Sequence, residues 1–285
     1  HDPASPWLLV PPEVRAAFDR VAARGRPLGD FGIGRPTLGV KCGCNEAFAV
    51  EVAGHTGDAV IVRQGDRSGQ IECSLVRPLV RGDAIVPWRL RPTSSAIVWT
   101  HDARGTPLAA LPKGAARWLA PWREKLSARS DLRGARAWWS LFRTEAADCE
   151  RTRVVWCDFG RVPRAAVLPA GDPTVPLNSC YVLASKDSAD ALAIAAILNS
   201  LLAAAWLGAV AEPARGGWHR YLAWTVALLP LPHDWPRARS ILVPVAERAI
   251  LDDPPSATGL LEAVCAAYRL RQSEVAPLLA WSHRP

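Results

Sequence analysis

The chain has 285 residues, 49% of them hydrophobic, and 34 Lys and Arg against 27 Asp and Glu give it a formal charge of +7. That much apolar material fills one large domain or two ordinary ones and excludes a disordered or fibrous chain. Seven scattered cysteines and no signal peptide at the start exclude a secreted disulfide framework, so a cytoplasmic protein is expected.

The excess charge is local. Eight cations and two acids lie between Lys113 and Arg143, a net of +6 out of +7, which favours an anionic partner. Residue 1 is His and the chain holds no Met; the natural start is therefore expected upstream.

In chain order, prolines at 3, 6, 11 and 12 lead into a helix predicted from Glu13 to Ala23 and stopped by Gly25 and Pro27. From Phe48 to Val98, short apolar runs such as Ala59-Val60-Ile61-Val62 alternate with Gly, Asp and Pro turns, the pattern of strands. Residues 113–143 return to helical spacing and set Arg129, Arg133 and Arg136 on one face. Strands are predicted at Arg153–Trp156, Ala165–Leu168 and Asn178–Leu183.

The strongest element is a helix from Ala189 to Ala211, capped by Asp187 or Ser188 and free of charge from 191 to 211. It is long enough to cross a bilayer. Asn199 and Ser200 at its middle, and alanines supplying much of its apolarity, favour a helix buried in protein instead, with no membrane. Beyond Leu229-Pro230-Leu231-Pro232, three short helices are predicted at 237–251, 257–270 and 273–281. The expected fold class is therefore α+β. A mixed strand-and-helix domain spans residues 1–235 and contains the long buried helix; a helical C-terminal tail follows over 236–285.

Several catalytic motifs are approached and missed. Asp253-Pro254-Pro255-Ser256 lacks the aromatic and the preceding strand of an amino-methyltransferase loop, and no strand leads into Phe31-Gly32-Ile33-Gly34. Asp30-Phe31-Gly32 and Asp158-Phe159-Gly160 spell a kinase triplet without the other kinase motifs and are read as turns. The six histidines have no nucleophile or i, i+4 partner, and Cys42-Gly43-Cys44 lacks a second pair at metal spacing.

Three constellations suit gripping a polyanion. Residues 113–143 interleave arginines with Trp118, Trp122, Trp138 and Trp139, forks for phosphate beside faces for stacking. Arg77, Arg81, Arg89 and Arg91 surround Gly82 and Pro87-Trp88; a turn there would project arginines from a strand end toward a groove. In Ala214-Arg215-Gly216-Gly217-Trp218-His219-Arg220-Tyr221, paired glycines let backbone amides approach a phosphate between two cations.

A set of blocks in fixed order joins these. They are Gly39-Val40-Lys41 with Gly43, Asn45 and Phe48; Arg77-Pro78-Leu79 with Arg81-Gly82-Asp83 and Pro87-Trp88; Pro176-Leu177-Asn178 with Tyr181; Leu198-Asn199-Ser200; Ala214-Arg215-Gly216-Gly217 with Arg220-Tyr221; and Leu229-Pro230-Leu231-Pro232. Over roughly residues 5–235 the series resembles the C-terminal specificity half of gamma-class restriction–modification adenine-N6 DNA methyltransferases, including fused type IIG enzymes. Cys42 stands where Thr is more usual and Trp218 where Tyr is common.

The resemblance implies that an upstream domain of the same polypeptide binds S-adenosylmethionine and methylates a flipped adenine. This half would hold double-stranded DNA and read its bases, with no cofactor, metal or catalytic residue of its own. Lys41, Asn45, Arg77, Arg81, Arg89, Arg129, Arg133, Arg136, Arg215, Gly216, Gly217 and Arg220 are the expected DNA contacts, with Trp88 and Tyr221 shaping the cleft or stacking within it.

Two other readings are weighed. The specificity subunit of a type I system would show two similar halves, and the chain has no internal repeat. A self-contained hydrolase or nuclease needs clustered carboxylates or a nucleophile with its base, and neither is found.

Overall fold

One four-stranded antiparallel sheet separates two hydrophobic cores in the computed structural model, which describes residues 8–132 and 137–282. Thr152–Cys157 lies inside that sheet, between Ala165–Leu168 and Cys180–Ser185, and Thr37–Leu38 forms the far edge. All six residues of 152–157 are buried, as expected of a strand covered on both faces. Successive side chains point to opposite faces. Val154, Trp156, Ala165 and Leu183 enter a helical core; Val155, Ala166, Leu168 and Val182 enter a strand-rich one.

The helical layer draws on both ends of the chain. Pro12–Ala22 buries Val14, Ala17, Phe18 and Val21 at i, i+3, i+4, i+7 spacing and stacks Phe18 on Trp206 at 4.7 Å. It packs on the last helix, Gln272–Ser282, while Trp235–Ile250 packs on Ser188–Leu198 and Ala257–Ala267. Residues beyond 235 thus share one core with the first helix. Gly25–Pro27, read from the sequence as a helix stop, also pairs with Pro230–Pro232, so the Leu-Pro-Leu-Pro block closes the two ends together.

The helix expected from Ala189 to Ala211 is two helices. Ser188–Leu198 and Leu201–Val210 meet at 74°. Asp187 caps the first, its Oδ1 accepting from Ala189 N at 2.9 Å. Ser200 caps the second, its Oγ accepting from Ala203 N at 3.1 Å. Asn199 at the corner accepts from Ala165 N and donates to Ala165 O, which ties the bend to the edge of the central sheet. Among the described residues no single helix is long and apolar enough to cross a membrane.

On the other side of the central sheet stands a six-stranded sheet. Its order is Val175–Pro176, Val76–Val80, Ser95–Val98, Ala49–Thr56, Ala59–Gln64, Arg67–Glu72. Lys113–Leu119 lies on its last strand, where Trp118 donates to Ala47 O at 2.9 Å and Arg67 sits 4.7 Å from the rings of both Trp118 and Trp122. The helical face expected across 113–143 does not continue. A turn at Ala120–Trp122 and a short helix, Arg123–Ser127, precede an irregular segment, so Arg129 leaves the helix altogether. Arg133 and Arg136 lie outside the described residues.

Candidate nucleic-acid interface

Four sequence blocks, far apart in the chain, converge on the end of the 152–157 strand. Gly39 N donates to Cys180 O at 2.9 Å and Val40 N to Pro176 O at 2.8 Å, which seats Lys41 beside the 176–180 turn. Gly82 N donates to the Ser179 hydroxyl at 3.0 Å, and a methyl group at Gly82 would stand 2.6 Å from Ser179 O. Only glycine allows that approach. Asp158 N donates to the same Ser179 carbonyl at 3.1 Å, and Tyr221 N donates to Asp158 O at 2.7 Å.

Beyond that strand end a small three-stranded sheet projects, built from Phe159–Gly160, Trp218–Arg220 and Glu212–Ala214. Asp158-Phe159-Gly160, read as a turn, is thus in part a strand. The hairpin tip is Arg215-Gly216-Gly217, exposed, with φ of +72° and +73° at the two glycines. Two consecutive left-handed residues are a conformation that only glycine adopts without cost. Phe159 and Trp218 remain 43% and 42% exposed, although large aromatics are normally buried.

Charge on this surface falls into two kinds. Lys41, Arg81, Arg161 and Arg215 are exposed and form no ion pair with a described residue. Arg220 is held: its Nη2 donates to Asp158 Oδ2 at 2.8 Å and its guanidinium lies 4.9 Å from the Phe159 ring centre. The hydrogen bond to Asp158 raises the Arg220 pKa further above its ordinary value. Burial raises the Tyr181 hydroxyl on the neighbouring strand and lowers the His219 imidazole.

The fold of this chain is similar to part of a restriction–modification enzyme. It aligns with the type IIL restriction-modification enzyme MmeI, whose structure was solved in complex with DNA, at TM-score 0.53 and 13% identity, over 90% of this chain and 36% of MmeI. The type IIG restriction endonuclease BpuSI aligns at TM-score 0.47 and 9% identity, over 95% of this chain and 34% of BpuSI. The chain therefore spans about a third of either enzyme. No family model and no curated protein matches the sequence.

Within that fold the expected contact residues divide. Lys41, Asn45, Arg81, Arg215, Gly216 and Gly217 are exposed, and all but Asn45 are tied to the convergence or its hairpin by the contacts above. Arg77 is turned inward: it donates to Pro173 O at 2.9 Å and Ala147 O at 3.0 Å, and stacks over Trp99. Burial lowers its pKa.

Arg129 is likewise spent, bonding Cys42 O and Ser140 O, both at 2.8 Å, with a side chain 9% exposed. Trp88 and Tyr221, expected in the cleft, belong to the helical core. Trp88 N donates to Ala165 O, and Tyr221 is fully buried with its hydroxyl on Arg161 O at 3.2 Å. Arg89 pairs with Asp252 on the helical side.

Asp158, Phe159 and Arg161, which the fold brings to the same strand end, are not among the contacts expected from the sequence, and Trp218 enters there only as a member of the 214–221 block. The available signal was that Phe159 and Trp218 stand beside glycines and cations in short polar segments, where no core claims them.

The two stretches that come near a cofactor loop in sequence are taken up by the fold. Ser256 spends its hydroxyl capping Ala257–Ala267, and Phe31 packs edge-on against Trp235 beneath Arg26.

Proposed function

We propose that this chain is the DNA-recognition module of a restriction–modification enzyme, the specificity half of an adenine-N6 methyltransferase whose S-adenosylmethionine-binding half is a separate domain of the same polypeptide. The observation behind this reading is the convergence of Lys41, Arg81, Arg161 and Arg215 around a projecting hairpin that exposes Phe159 and Trp218. Lys41, Arg161 and Arg215 supply the sequence-independent grip on phosphates, and exposed aromatic faces stack on bases. The fold shared with MmeI, a DNA-bound enzyme in its solved form, supports the same partner.

In this reading Arg81, at the end of the 76–80 strand, enters the groove, and Arg215 with the paired glycines clasps the backbone. The test is selection from a random duplex pool by the full chain. A defined motif should emerge, and affinity for it should fall with salt at a log–log slope on the order of −4 to −5 if about five phosphates are contacted. Recovery of no motif, or a salt-independent affinity, would refute the reading.

A further inference from the structure

Arg220 differs from every other cation on this surface, and the difference assigns it a task of its own. Asp158 is 8% exposed, and among the described residues its one side-chain partner is Arg220, on Oδ2, with none on Oδ1. Swinging Arg220 out to a phosphate would leave that carboxylate buried and unpaired, which is strongly unfavourable. Phe159 beneath the guanidinium fixes its plane. The pair is also neutral as a whole, so it adds almost nothing to the attraction of a polyanion. What remains is directional. The Arg220 side chain is 38% exposed, and its Nη1 and second Nη2 hydrogens form a fork with no partner among the described residues.

We infer that the Asp158–Arg220 pair on its Phe159 platform reads the major-groove edge of a guanine, donating to N7 and O6. A planar fork held rigid and stripped of net charge suits a base edge, where geometry discriminates, better than a phosphate, where charge suffices. This rests on the proposed DNA-binding function and sharpens it: Arg220, which sequence reading places with Arg215 on the backbone, becomes a specificity residue.

The test uses duplexes selected by the full chain, with each guanine replaced in turn by 7-deazaguanine, which lacks the N7 acceptor. One replacement should weaken the wild-type chain about tenfold or more, and that penalty should vanish in the double variant Asp158→Asn with Arg220→Gln, which removes both charges of the pair and so leaves the salt slope unchanged. Asp158→Asn leaves the Arg220 charge without its counter-charge, and should bind unrelated duplexes more tightly with a steeper salt slope while losing the 7-deazaguanine penalty. Arg220→Lys, which keeps the charge and the pairing but not the fork, should also lose the penalty, and its thermal melt checks that folding is intact.

Should the charge-neutral double variant keep the 7-deazaguanine penalty, or weaken all duplexes alike, the inference is wrong and the DNA-binding reading stands. No motif from the wild-type chain overturns both.

Discussion

The segment from Lys113 to Arg143 and the projecting hairpin around Arg215 are both rich in arginine and tryptophan, yet they use them in opposite ways. In the first, Arg129 ends on four backbone carbonyls, Arg67 of the neighbouring strand lies against two indoles, and Trp118 is 2% exposed. In the second, Arg215 is exposed and unpaired, and Trp218 stands in solvent. An arginine with enough nearby carbonyls is a structural crosslink, five donors satisfying acceptors that no helix or sheet reaches. One without them is available to a ligand. Local density of charge does not separate the two cases.

That contrast can be broken by experiment, and the largest effect belongs to the inward arginines. Arg129→Ala removes the donors to the Leu126, Cys42, Trp138 and Ser140 carbonyls and should cost about 3 kcal/mol of stability, read as a shifted denaturation midpoint, with DNA affinity per folded molecule unchanged. A normal midpoint with lost affinity would reverse the roles of the two regions.

Trp218→Ala should do the opposite: about 1–3 kcal/mol lost from DNA binding and stability within about 0.5 kcal/mol of wild type, as for exposed positions generally. Arg215→Ala should lower the salt slope by about 0.9 and weaken all sequences alike; a loss confined to one sequence would make it a base reader.

The smallest effect is a pH dependence. Burial depresses the His219 imidazole in the folded chain, so the unfolded chain binds the proton more readily. The stability this contributes is present above the ordinary imidazole value of about 6.5 and lost as pH falls through the lower folded value. His219→Gln should flatten that decline in a melting-temperature profile.

Much of the fold was legible because it rests on local pattern. The strands at 165–168 and 152–157 and the three C-terminal helices follow from apolar runs bounded by Pro, Asp and Gly. The break at Asn199–Ser200 was not read, since an apolar run of alanine and leucine reads as one helix however its axis bends. Ser200 ahead of Leu201-Leu202-Ala203 was nevertheless a capping signal.

The site was legible only in part. Its blocks could be named, but the inward turn of Arg77 depends on carbonyls at 147 and 173, and the fate of Trp88 on a strand at 165. Such long-range partners leave no mark on the residues near them in sequence.

The decisive question is which surface meets DNA. Two triple variants of equal charge change compare them directly: Lys41→Glu with Arg81→Glu and Arg215→Glu at the strand end, and Lys113→Glu with Arg117→Glu and Arg123→Glu on the exposed side of the 113–127 segment. Binding of the selected duplex, measured by fluorescence anisotropy at one salt concentration, should be abolished in the first. In the second it should fall only by the modest amount that a uniform loss of charge produces. Equal losses, or a greater loss in the second, would contradict the assignment of the interface to the convergent strand end.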